Sequence, residues 1–281
     1  MTIGILHPGQ MGAAIAAQAR SRGVRALWCP DGRSEATVHR AQTAGLESVP
    51  SLPDLLAQAD MVLSVCPPAF AEDLAREVAR HGYNGVYADA NAISPERAQR
   101  IATILPNATV VDGGIIGPPP TEATVARLYL SGPQGACADV AHLFTGTLVE
   151  VHQIGNEVGK ASALKLSFAS FQKATRALAA VSHALADHHG VREALQSEAE
   201  RMGSSALAQP GYLPSVAARA WRWAPEMQEI AAALHEAGLP THLAEGAKRV
   251  LEQWNDDKDA WNIELDEVFK HLSTANDETD R

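Results

Sequence analysis

The pattern of apolar positions changes character once along the chain. Up to residue 151, apolar runs of four or five residues alternate with stretches in which apolar side chains recur every three or four positions. A short apolar run bounded by glycine or proline reads as a buried strand, and a 3.6-residue recurrence reads as a helix laid against it. The chain opens on such a run, which breaks at Pro8-Gly9 and passes through Gly12 into an alanine-rich helix. Further strands are predicted at 24–28, 46–49, 61–65, 85–88, 109–112, 127–130 and 148–151. Helices are predicted from Ser34 to about Ala44, after Pro53, over 70–81 and from Ser94-Pro95-Glu96, where a capping serine, a first-turn proline and a first-turn acid stand in order.

That alternation predicts an α/β fold with an N-terminal Rossmann-like doubly wound sheet, mostly parallel, with ligands over the carboxyl ends of its strands. After residue 155 no strand pattern is left. Residues 156–189 carry Leu164, Phe168, Phe171, Leu178, Val181 and Leu185 at helical spacing, with Gly190 as the stop. Further helices are predicted at 192–207, 216–237 and 243–254, giving an all-α C-terminal domain. The expected domains are therefore 1–154 and 155–281. A helix as long as 156–189 cannot be surrounded by so small a domain, which predicts a homodimer with a second copy covering it.

Length and charge add limits. At 281 residues and 46% hydrophobic composition the chain can build two modest cores. A net charge of -10, with acidic residues crowding the last 30 positions or so, argues against binding along nucleic acid or an anionic membrane and favours a small-molecule substrate. No apolar stretch reaches spanning length, and Met1 leads directly into the first strand, so a cytoplasmic protein is expected. Cys29, Cys66 and Cys137 have no C-x-x-C spacing, so neither a disulfide framework nor a metal site is expected.

The first chemistry lies at the opening turn. A helix that starts at a glycine turn presents unpaired N–H groups and a partial positive charge, which suits a phosphate diester. In His7-Pro8-Gly9-Gln10-Met11-Gly12, Gly9 permits a close approach and Gly12 lets the helix lie against the strand. The usual G-x-G-x-x-G fingerprint has glycine where His7 stands. Cys66-Pro67 ends the strand at 61–65, and Asn91 follows the strand at 85–88, both at carboxyl strand ends over which a cofactor would lie. The Asn91 amide suits either a nicotinamide ribose or substrate, or a turn cap.

These residues together resemble the β-hydroxyacid dehydrogenases, the group that contains 3-hydroxyisobutyrate and 6-phosphogluconate dehydrogenases. Gly4 to Gly12 resembles the family's opening, with offsets that agree except at His7. Asp89-Ala90-Asn91-Ala92-Ile93-Ser94-Pro95 is similar to its Asp-x-Ser-Thr segment, and Val111-Asp112-Gly113-Gly114-Ile115-Ile116-Gly117 to its Leu-Asp-Ala-Pro-Val-Ser-Gly loop. Gly159, six residues before Lys165, resembles the glycine-rich start of the helix that carries the family's catalytic lysine. Imine reductases share the architecture, and Asp112 to Ile115 followed by Pro118-Pro119-Pro120 is also similar to their loop.

The resemblance implies hydride transfer between a nicotinamide and a small carbonyl or hydroxy compound, with Lys165 as general acid/base; the alternatives are an NADPH-dependent imine reductase and a non-catalytic NADP-binding protein. An ordinary lysine, with a pKa of about 10.4, is a poor base at neutral pH, and burial beside Leu164, Leu166 and Phe168 is expected to lower it. An acidic side chain after the second strand selects NAD and an arginine selects NADP. Asp31 fits the first pattern, but Gly32-Arg33-Ser34 resembles the Asn-Arg-Ser or Asn-Arg-Thr of the family's NADP users, so NADP is expected over NAD. The expected substrate positions are Gly114, Ile115, Ile116, Phe168, Trp223 and Glu226. Several depart from the family: Ile116 replaces a substrate-binding serine, Phe168 and Ala169 replace amides, and Glu226 replaces a lysine. Those changes remove the anchors of a small hydroxy acid and suit a hydrophobic or cationic substrate.

Overall fold

The computed structural model describes residues 1–201, 206 and 208–273. The chain forms two compact units, Met1–Leu166 and Ser167–Arg281. In the first, β1 (Thr2–Ile5), α1 (Gln10–Ser21), β2 (Arg25–Trp28), α2 (Glu35–Thr43), β3 (Glu47–Ser48), α3 (Leu52–Gln58), β4 (Met61–Ser64) and α4 (Ala71–Arg80) alternate as the apolar periods require. They are followed by β5 (Val86–Asp89), α5 (Pro95–Ile104), β6 (Thr109–Ile116), β7 (Ala126–Ser131), α6 (Gln134–His142) and β8 (Val149–Gly155). The strands form one sheet in the order β3-β2-β1-β4-β5-β6-β7-β8. One hydrophobic cluster, with Ile15 of α1 and Val140 of α6, covers one set of strand side chains; a second, with Leu55, Val78 and Ile101 of α3, α4 and α5, covers the other.

Beyond α6, for which no helix was predicted, two features of this part of the chain depart from the sequence expectation. The strict strand-helix alternation fails once, because β7 returns directly and pairs antiparallel with β6, Asp112 to Ser131 through Ile116 to Arg127. That pairing carries β6 on to Ile116, through residues expected to form a loop. Gly114 can sit inside this strand because helical backbone lies against it: a Cβ there would fall 2.7 Å from Ala161 O. The second departure is the start of the long helix. α7 (Lys160–His188) begins four residues later than expected, after Gly159 at φ +110°, and its first turns belong to the first compact unit.

The rest of the second unit comprises α8 (Arg192–Arg201), α9 (Leu213–Ala217), α10 (Ala220–Glu236), α11 (His242–Glu252) and α12 (Leu265–Ser273). The expected helix 216–237 is thus two helices, divided at Ala218-Arg219. The expected end of the helix 192–207, and the acidic residues beyond 273, lie outside the described residues. α12 was not expected. It forms in an acidic stretch because Val268 and Phe269 bury on its inner face, and Trp254 Nε1 donates to Val268 O at 3.0 Å. No helix among the described residues is long and apolar enough to cross a membrane.

Candidate active site

The glycine turn joins β1 to α1. Gly9 is the N-cap of α1 without a side-chain cap, which leaves the first-turn N–H groups to a ligand. Gly9 N donates to His7 O at 2.8 Å, and a Cβ at Gly12 would stand only 2.5 Å from the same oxygen, so the tight turn excludes any larger residue there. Pro8 is buried, Met11 half-buried and Gln10 exposed. The His7 ring lies over the turn, its Cδ2 within 3.4 Å of where a Gly9 Cβ would be.

Beside it stands the loop after β2. Arg33, half-buried, donates through Nη2 to Leu6 O at 3.1 Å and lies with Nη1 3.0 Å from His7 Nδ1. Burial and the charges of Arg33 and Arg40 hold His7 below its ordinary pKa. Ser34 caps α2, its hydroxyl accepting from Thr37 N. Arg40, one turn on, donates to Thr37 Oγ1 at 3.0 Å. Arg40 was missed by the sequence reading, although its helical spacing from Thr37 was available.

A buried polar bridge joins the ends of β4 and β5. Asn91 Oδ1 accepts from Cys66 N at 2.6 Å, and Asn91 Nδ2 donates to Ser64 Oγ at 3.1 Å and Asp89 Oδ2 at 2.9 Å. Both amide hydrogens are therefore committed within the protein, which is the turn-capping role rather than a free amide aimed at a ligand. Burial pushes the Asp89 carboxyl up to about 7, with Asp112 adding to the rise and the Asn91 hydrogen bonds opposing it. Burial likewise pushes the Cys66 thiol up to about 12, so it is no nucleophile at neutral pH. Pro67 is exposed beyond it.

Midway along β6 a carboxylate seats a helix. Asp112 Oδ2 accepts from Gly159 N at 2.9 Å, Ser162 N at 3.0 Å and Ser131 Oγ at 3.0 Å, and Oδ1 accepts from Ser162 Oγ at 2.6 Å. An anion on first-turn N–H groups is favoured by both hydrogen bonding and the helix dipole. One turn later, Lys165 Nζ donates to Ile115 O at 2.7 Å. Gly114 meets the Lys165 Cβ, while the Ile115 and Ile116 side chains are buried. Of the expected substrate positions in this unit, Gly114 and Ile115 thus offer backbone. The helix start that Asp112 holds lies 47 to 50 residues further along the chain, so no local signal in the sequence assigns it this role.

The second unit holds the remaining expected residues. Phe168 is 41% exposed on α7. Trp223 and Glu226 lie three apart on α10 and share one partner: Lys173, only 3% exposed, pairs with the Glu226 carboxylate and lies 5.5 Å from the Trp223 ring centroid. The negative charge of Glu226 is therefore met by a lysine that the sequence reading did not single out. Among the described residues no cluster of three or more His, Cys, Asp or Glu could hold a metal ion.

Residues 186–254 match the family described as a domain of unknown function, DUF1932. An uncharacterized 28.5 kDa protein of Methanothermus fervidus is 27% identical over 178 residues, 63% of this chain and 68% of the relative. A conserved protein of unknown function, itself described as structurally similar to 3-hydroxyacid dehydrogenases, is 28% identical, with a TM-score of 0.68 and 91% and 97% of the two chains covered. The Mycobacterium tuberculosis 3-hydroxyisobutyrate dehydrogenase with L-serine is 17% identical, with a TM-score of 0.74 over 97% and 99%. A reductive aminase from Aspergillus terreus with NADPH and ethyl levulinate is 18% identical, with a TM-score of 0.56 over 96% and 99%. At these identities the last two share the fold, and the chain has the architecture of the hydroxyisobutyrate dehydrogenases and reductive aminases.

Proposed function

We propose that the protein is an NADP(H)-dependent oxidoreductase that transfers hydride between the nicotinamide and a small carbonyl or hydroxy compound, with Lys165 moving the proton. The observation that carries this reading is the seating of Lys165: Asp112 caps the helix start, and the lysine one turn on is held against Ile115 O. The fit of the cofactor rests on the uncapped α1 start at Gly9, on the tight turn that excludes a side chain at Gly12, and on the Arg33-Ser34 pair beside it. Those residues would hold the pyrophosphate at the α1 N-terminus and the adenosine 2′-phosphate at the α2 N-terminus. The nicotinamide, when bound, supplies or accepts the hydride.

In the reducing direction the Lys165 ammonium donates a proton to the substrate oxygen as negative charge develops there; in the oxidising direction the neutral amine takes it back. Ile115 O holds Nζ in place before substrate arrives. Asn91 acts at one remove by fixing the Cys66 backbone, with Pro67 beyond it, at the edge of the site. The absence of a hydroxyl at Ile116, where the resembling dehydrogenases carry a substrate-binding serine, supports a substrate without a carboxylate anchor, which also keeps a C=N compound in view. The exposed seam of α7, Phe171 at 76%, Leu178 at 65% and Leu185 at 62%, supports a homodimer in which a second copy covers it. The reading is tested by NADPH turnover on a panel of neutral aldehydes, hydroxy acids and cyclic imines; loss of turnover on every member would remove it.

A further inference from the structure

A neutral imidazole has one donor and one acceptor nitrogen, whereas a guanidinium only donates. His7 Nδ1, 3.0 Å from Arg33 Nη1, is therefore the acceptor, and the ring proton sits on Nε2. Arg33 Nη2 is fixed in turn by Leu6 O at 3.1 Å. Two adjacent residues of the β1 end thus grip the tip of a side chain from the loop after β2. The grip uses two of the five guanidinium N–H groups. One hydrogen on each Nη remains to be offered, while Nε is buried without a hydrogen-bond partner among the described residues. A planar guanidinium fixed by one edge presents the rest in a set orientation, the arrangement that suits bidentate recognition of a phosphate.

Glycine, the ordinary residue at position 7 in a dinucleotide fingerprint, has no side-chain acceptor. It could not make this contact. The lowered pKa of His7, caused by burial and by the charges of Arg33 and Arg40, agrees with the neutral, accepting form. We infer that His7 is the positioning residue for cofactor choice: its Nδ1 holds the Arg33 guanidinium where a 2′-phosphate is received, so the selectivity of the site resides in the His7-Arg33 pair rather than in Arg33 alone. This inference rests on the NADP reading above and assigns a role to the one residue at which the glycine turn departs from its usual form.

The test is fluorescence titration of the full-length protein with NADPH and with NADH. His7→Leu keeps the bulk and removes the acceptor; His7→Gly restores the ordinary fingerprint and keeps the measurement available if the leucine variant does not fold. His7→Asn places an acceptor close to where Nδ1 stands. Losing one charge-assisted hydrogen bond predicts a roughly tenfold or greater weakening of NADPH affinity in His7→Leu and His7→Gly, with NADH affinity within about twofold of wild type. His7→Asn should retain most of the preference. In an Arg33→Ala background the His7 changes should leave the NADPH-to-NADH ratio where it is. Equal losses for both dinucleotides, a gain in NADPH affinity in His7→Leu, or an undiminished effect without Arg33 would overturn the inference. A wild type that prefers NADH, or an Arg33→Ala variant with unchanged NADPH affinity, would overturn the NADP reading and the inference with it. Selective NADPH loss in Arg33→Ala with none in the His7 variants would overturn the inference alone.

Discussion

The Asp112 carboxylate accepts the Ser162 hydroxyl at 2.6 Å, and through that contact strand β6 sets the position of the helix that bears Lys165. The same strand receives Lys165 Nζ at Ile115 O, three residues on. Helix start and lysine tip are thus fixed by one strand. Asp112→Ala strands two buried backbone N–H groups and two hydroxyls at once. It should destabilise the protein by about 2–4 kcal/mol, since each buried group left unsatisfied costs roughly 1–3 kcal/mol and the losses overlap. Urea denaturation checks this, and a change below about 0.5 kcal/mol would mean that the helix start is held elsewhere.

Asp89 predicts an unusual pH dependence. Its carboxyl stands at about 7 in the fold, against an ordinary value of 3.8. The native state therefore binds more protons than the unfolded chain between those limits, and stability falls as pH rises through this window. The loss is on the order of 4 kcal/mol for three pKa units. His7 works in the opposite sense below about 6.5, because its folded pKa is lowered and the unfolded chain takes the proton first. The two are separated by comparing urea midpoints of wild type and Asp89→Asn at pH 5 and pH 8. The variant should show the shallower decline, and parallel curves would assign the dependence to other groups.

The Lys173-Glu226 pair changes what a charge reversal at 226 does. With the sequence alone, Glu226→Lys reads as a way to admit carboxylate substrates. In the fold it sets a second cation beside a lysine that is only 3% exposed. Breaking a buried pair while leaving its partner unpaired costs about 3–5 kcal/mol. A thermal melt should show Glu226→Lys strongly destabilised and Glu226→Gln less so, and equal melting temperatures for both variants and wild type would show that the pair is not needed.

The seam on α7 predicts self-association. Replacing Phe171 and Leu178 with glutamate places two charges on the face proposed to meet a second copy, while both positions are exposed within the single chain. Sedimentation should show a dimer for wild type and a monomer for the double variant, with the melting of each unit little changed. A wild-type monomer at micromolar concentration would remove the homodimer.

Much of this fold was legible because local chemistry and tertiary context agree. Ser34 and Ser94 cap helices where their spacing predicted, and the short apolar runs became the strands of the sheet. The extension of β6 was not legible, since Gly113 and Gly114 weaken a strand locally and gain their value only from the approach of Ala161 and the pairing with β7. Lys173 was hidden for a similar reason. A lysine within an apolar helix reads as a solvated side chain until Glu226, 53 residues away in sequence, is seen against it. Arg33 could be read as a phosphate ligand, but its anchor on His7 spans 26 residues and two strand ends, which no local period encodes.

The central claim, that Lys165 moves the proton, is tested most directly by Lys165→Ala. NADPH affinity is measured by titration, and turnover is measured on whichever panel compound the wild type reduces. Proton transfer by a positioned group contributes about 10² to 10⁴, so turnover should fall at least a hundredfold while the dissociation constant for NADPH stays within about twofold. Turnover equal to wild type in a folded, NADPH-binding Lys165→Ala variant would contradict the account.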